Sequence, residues 1–199
     1  MDIQNIQTGS LRNAASPAPP LNLPSPSTLT TAPTGDRIYV LDVLFEPSQP
    51  LHNLALPLLS STTFTTYADL VDAVHAALTQ LAASPSPSDT QWLERILAAH
   101  PRLGEKKVES AQSAAEQAAL RNGSGHAAET EAKELAQLNT DYEARFPGLR
   151  YVVFVNGRGR PEIFADMRRR IERADIAAER VEAIQAMCDI ANDRARKLQ

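Results

Sequence analysis

One stretch of this chain has strand character, and nothing elsewhere matches it. Tyr151–Val155 is a run of five β-branched or aromatic residues followed by Asn156-Gly157, which alone would read as a strand entering a tight turn. With no second run for it to pair with, a lone extended segment buried between helices fits better than a sheet. The remaining pattern is helical. Tyr67, Leu70, Val71, Val74, Leu78 and Leu81 make the cleanest apolar stripe, with Thr65 or Thr66 placed to cap it. Ile38, Leu41, Val43, Leu44 and Phe45 predict a short helix closed by Pro47, and Leu51 to Leu59 a second, interrupted at Pro57. Leu135, Leu138, Tyr142 and Phe146 stripe a helix over 127–146 that ends at Pro147-Gly148. Ile163, Phe164, Met167 and Ile171 stripe another. Val181, Ile184, Met187 or Cys188, and Ala191 stripe the last. The fold class expected is all-α: an irregular multi-helical bundle of about eight helices with one short extended segment.

Prolines divide the chain. Six of fourteen fall between Pro17 and Pro33, interleaved with Ser and Thr, so residues 1–34 are expected to be disordered or loosely attached. Residues 35–199 are expected as one domain, long enough for a sizeable core. The net charge of −4 and pI near 5.6 argue against nucleic-acid or anionic-membrane partners. No apolar run reaches the roughly 18 residues of a membrane span or the length of a signal peptide. A soluble, cytoplasmic or peroxisomal protein is expected, although the ending Arg-Lys-Leu-Gln only approaches a peroxisomal Ser-Lys-Leu. The one cysteine, Cys188, sits in a helical run and reads as a small buried residue.

The chemistry gathers between Trp92 and Gln117. Trp92, Leu93, Ile96 and Leu97 recur at helical spacing, with Ser88 and Gln91 as a capping box at the start. His100 continues the Leu93–Leu97 face, and Pro101 ends the helix there or close by, leaving an imidazole at a helix end over the core. Ser113 and Glu116 open a further helical run. Their spacing suits either a capping box or a pair of site residues. The four histidines show no metal-binding spacing, so no metal is expected. Arg168, Arg169, Arg170 and Arg173, mixed with Glu162, Asp166 and Glu172, read as a solvated helical face. Arg158 differs, because it follows the buried strip at a turn where its guanidinium can reach a ligand oxygen.

Four motifs in order carry a resemblance: His-Pro-Arg-Leu-Gly at 100–104, Ser-Ala-Ala-Glu-Gln at 113–117, Leu-Asn-x-x-Tyr-x-x-Arg-Phe at 138–146 and Tyr-Val-Val-Phe-Val-Asn-Gly-Arg at 151–158. Over roughly residues 36–199 the chain resembles the 2-oxo-4-hydroxy-4-carboxy-5-ureidoimidazoline (OHCU) decarboxylases of uric acid breakdown. That resemblance implies a cofactor-free carboxy-lyase, homodimeric like its relatives, acting on a small ureidoimidazoline. The substrate loses CO2, and the electron pair left behind spreads into its own ring. The protein then orients the carboxylate and delivers one proton, giving (S)-allantoin. The resemblance assigns His100 as general acid, and an imidazole of ordinary pKa about 6.5 suits that task near neutrality. Glu116 is expected to orient ureido and ring N–H groups. Ser113 and Gln117 would bind ring oxygens beside Pro101. Val153, Phe154, Val155, Asn156 and Gly157 would offer backbone groups to the flat ring, with Arg158 at their end. The chain departs from the family pattern in Arg102, in a shorter His-to-Ser interval and in a longer stretch before Arg158. A helical interaction module without activity, or an acid–base enzyme for another carboxylated heterocycle, would share the fold.

Overall fold

A computed structural model describes residues 22–105, 110–119 and 126–199. Most of the proline-rich start and of the break at 122–126 lie outside the described residues. Among the described residues there are eight α-helices and no strand. They are α1 (Thr34–Phe45), α2 (Gln49–Ser61), α3 (Tyr67–Ala83), α4 (Pro87–Leu97), α5 (Ala111–Ala119), α6 (His126–Arg145), α7 (Arg160–Arg173) and α8 (Ile176–Leu198). A short 3-10 turn, Pro26–Thr28, precedes them. None of these helices is long and apolar enough to cross a membrane.

The long helix α8 is the axis of the core, packing along α3 and α1, while α2 and α4 close over α3 and α6 lies on α7. The apolar stripes explain this order. Leu70, Val71, Val74 and Leu78 of α3 face Ile184, Met187, Cys188 and Ala191 of α8 within one buried cluster. Packing begins earlier in the chain than the proline pattern suggests. Leu29 is fully buried, Arg37 donates to the carbonyls of Leu29 and Thr30, and Tyr67 donates to that of Pro24.

Four local expectations are corrected. Pro57 does not interrupt α2, because the carbonyl it leaves unpaired, four residues back at Asn53, lies on the exposed face where water can take it. Ser88 does not cap α4. The helix starts two residues earlier, with Pro87 in the first turn and Ser86 as cap residue. Val181 is 58% exposed, and the buried face of α8 runs instead through Glu179, Ala183 and Ile184. Arg170 leaves the solvated arginine face and is only 2% exposed.

The last two corrections share one cause. Arg170 donates to the carboxylate of Glu179, which is fully buried, and Tyr142 donates to the same group. The remaining reach of Arg170 goes to the Val152 carbonyl at 3.1 Å, and its guanidinium lies 4.7 Å from the Tyr151 ring centroid. Tyr151 itself donates to Asp166 at 2.6 Å. Residues 151–155 are extended without a ladder, so their carbonyls must find partners elsewhere. Arginines supply them: Arg170 binds Val152, and Arg158 binds Phe154 and Val155. Replacing Glu179 by Ala takes from the buried Arg170 guanidinium its fully buried counter-ion, leaving the more distant Asp166 and Glu182. Urea denaturation is expected to show a loss of roughly 3 kcal/mol, beyond that of an exposed pair.

Candidate active site

The turn after α4 buries His100, which is 4% exposed, and Arg150 fixes it from behind by donating to its carbonyl at 3.2 Å. The imidazole Nε2 is buried and has no hydrogen-bond partner. Such an orphan costs about 1–3 kcal/mol unless something else completes it. Nε2 belongs to a residue lining a small inner cavity of about 50 Å³, walled also by Pro101, Ser113, Glu116, Gln117, Val153 and Ile190. His100 and Glu116, carried by different parts of the chain, therefore line one pocket. Glu116, Val153, Val155 and Ile190 also wall a larger cleft of about 600 Å³, so the inner cavity sits at its margin.

Helix α5 brings Ser113, Glu116 and Gln117, and it does so without a large apolar anchor. Ser110 caps it by accepting from the Ser113 N–H, which places Ser113 inside the first turn and leaves its hydroxyl free for other work. Polar bonds hold the helix in place. The Ser113 hydroxyl donates to Glu46 at 2.6 Å, and Arg194 donates to both oxygens of Glu116 at 2.8 and 2.9 Å. Gln117 clasps the loop after His100, donating to the Arg102 carbonyl and accepting from the Gly104 N–H. Asn139 of α6 holds the same loop through the Leu103 carbonyl. Gln117 thus lines the pocket with both ends of its amide already engaged in positioning Pro101–Gly104.

The extended segment forms the opposite wall. No hydrogen bond from the N–H groups of Val153, Phe154, Val155, Asn156 or Gly157 is formed among the described residues, and all five residues line the cleft. Asn156 and Gly157 turn the chain with positive φ, 45° and 75°. Arg158 reaches the cleft, but its guanidinium folds back onto the carbonyls of Phe154 and Val155.

Two residues of this site were invisible in the sequence reading, Glu46 and Arg194. Glu46 follows α1 as a lone acid before Pro47, a pattern that ordinarily marks a solvated helix end. Arg194 lies in Asp193-Arg-Ala-Arg-Lys197, which looks like a charged tail. A signal existed for the second, since Met187, Ala191 and Arg194 follow one helical stripe. The structure buries both, to 3% and 2% exposure. The Glu46 carboxyl is pushed up by burial, but Arg194, Ser113 and Ser110 outweigh this and hold it below its ordinary range. Burial, with the Arg194 charge adding to it, pushes the His100 imidazole down to about 4 against the opposing pull of Glu46. Among the described residues no group of three or more His, Cys, Asp or Glu side chains is placed to hold a metal ion.

A helical domain that closes a buried, unpartnered imidazole and a carboxylate around one small cavity is built for acid–base chemistry on a compact ligand. The family model described as OHCU decarboxylase matches residues 30–196, and the chain belongs to that family. It is accordingly a carboxy-lyase, a decarboxylase of urate degradation. No curated protein matches the chain.

The depressed His100 pKa sets a pH dependence of folding. Because the folded imidazole titrates near 4 and the unfolded one near 6.5, its stabilising contribution is complete above 6.5 and declines as pH falls through that window. Urea denaturation is expected to lose on the order of 3 kcal/mol across it, a decline that His100→Asn removes. Glu46 adds its own loss mainly at lower pH, since its folded carboxyl titrates below 4.5.

Proposed function

We propose that this chain converts 2-oxo-4-hydroxy-4-carboxy-5-ureidoimidazoline to (S)-allantoin without a cofactor, using His100 as the proton donor. The observation that carries the reading is the buried, unpartnered Nε2 of His100, a residue lining the same small cavity as Glu116. The low His100 pKa makes the imidazole neutral in the empty site at neutral pH. A substrate carboxylate entering beside it favours the imidazolium, so the proton arrives with the substrate. The bond from ring carbon to carboxylate then breaks, CO2 leaves, and the electron pair spreads into the ring carbonyl and imine system. With the anion gone, the imidazolium is a strong acid in a desolvated pocket and delivers its proton to C5, the ureido-bearing carbon, while the C4 hydroxyl proton passes to the ring nitrogen and C4 becomes the ring carbonyl. Delivery from one fixed side gives one enantiomer.

Glu116 keeps lone pairs for ureido and ring N–H groups because Arg194 approaches it from the buried side and its side chain remains 33% exposed. The free N–H groups of residues 153–157 complement ring oxygens on the other wall. Ser113 and Gln117 act chiefly by holding Glu46, Arg194 and the Pro101 loop in register. The homodimeric state implied by the family belongs to the same proposal, and sedimentation equilibrium tests it.

The test is circular dichroism of allantoin formed from enzymatically generated precursor. Wild-type protein is expected to yield the (S) enantiomer, and dialysis against a strong chelator to leave the rate unchanged. His100→Asn is expected to lose roughly 10²–10⁴-fold in rate while remaining folded. A variant fully active yet clearly destabilised would show that His100 is a core histidine instead.

A further inference from the structure

Arginine is the side chain best shaped to hold a carboxylate. Arg194 stands directly behind Ser113 and Glu116, yet it lines neither the inner cavity nor the cleft. Its N–H groups are all engaged. Nε and Nη2 donate to Glu116, Nη2 also to Glu46 and Ser113, and Nη1 to the carbonyls of Val43 and Leu44. The two carboxylates on this guanidinium are unequal. Glu116 is 33% exposed at the pocket wall, whereas the Glu46 side chain is 4% exposed and out of reach of a ligand.

Glu46 also carries backbone strain. It closes α1 at φ 76° and ψ 149°, a conformation otherwise left almost entirely to glycine. What this conformation achieves is to turn the carboxylate inward, where it accepts from Arg194 and from Ser113, each at 2.6 Å. A strained residue whose side chain is clamped so closely, one bond away from the pocket wall, points to a role beyond ending a helix.

Resting on the decarboxylase reading above, we propose that Glu46 is a positioning residue that withholds Arg194 from the substrate's carboxylate. The physical reason lies in the direction of charge flow. In the ground state the negative charge sits on the carboxylate, and in the transition state it moves into the ring as CO2 departs. A guanidinium gripping the carboxylate stabilises the first state more than the second, which tightens binding and slows the chemistry. Held by Glu46, the same guanidinium instead orients Glu116 from behind, and the carboxylate meets the His100 imidazole but no guanidinium.

Glu46→Gln keeps the shape and removes the charge, freeing Arg194 to lean toward the cleft. Steady-state kinetics are expected to show kcat and KM falling together by roughly tenfold, with kcat/KM within about threefold of wild type. A merely structural role instead lowers kcat through lost folded protein and leaves KM unchanged, and that result overturns the proposal. Calorimetric titration with hydantoin-5-acetate and its carboxamide provides an arm independent of turnover. Wild type is expected to prefer the carboxylate by no more than about threefold, and Glu46→Gln by about tenfold, the scale of one charge-assisted contact. If the variant does not fold, titration of wild type and of His100→Asn still decides, because a larger preference that persists in His100→Asn means that Arg194 is already available. If wild type releases no CO2 from the ureidoimidazoline, the decarboxylase reading fails, and the titrations judge Glu46 alone.

Discussion

A guanidinium cannot shed its charge, so burying Arg194 obliges the protein to surround it with acceptors. Those acceptors come from two places far from α8 in the chain, the end of α1 and the first turns of α5. Helix α5 is rich in Ala and buries polar rather than large apolar residues, so its attachment rests on that charge network and on Gln117. The site residues on α5 are therefore in place because Arg194 is satisfied. Ser113, which donates to Glu46 and accepts from Arg194, closes the ring.

The second constraint is the extended segment. A strand without a sheet leaves donors and acceptors on both edges, and a core tolerates this only if each finds a partner or faces a cavity. Here the two edges are treated differently. Carbonyls of Val152, Phe154 and Val155 are taken by Arg170 and Arg158, while the N–H groups of residues 153–157, which line the cleft, find no partner among the described residues. The buried Arg170–Glu179 pair, wedged among Tyr142 and Tyr151, is what makes the segment rigid enough to present those donors. Positioning and binding thus use opposite sides of the same few peptide groups.

Both clusters show stability given up for a site. An orphaned imidazole nitrogen, a non-glycine residue in a glycine conformation and two buried ion pairs each cost free energy that an apolar core of equal volume would not. The apolar cluster along α3 and α8 offsets these costs. The proposed mechanism would use them: a neutral, desolvated imidazole becomes a strong acid once charged, and a fixed charge network preserves the pocket's electrostatics as the substrate's charge moves.

The sequence by itself determined the helical class, because period-3.6 stripes and a single unpaired β-like run admit no sheet. It also carried four motifs in order whose resemblance to a known family, rather than their spacing alone, marked His100, Ser113, Glu116, Gln117 and the 153–157 segment as a set. Only the tertiary structure decided that Gln117 clamps a loop, that Arg158 turns back on its own carbonyls, and that Glu46 and Arg194 complete the site. The reason is that a lone acid at a helix end and an arginine near a chain end look alike whether solvated or buried. Their roles depend on partners separated by 148 positions, and no local pattern of apolar and polar residues encodes that pairing.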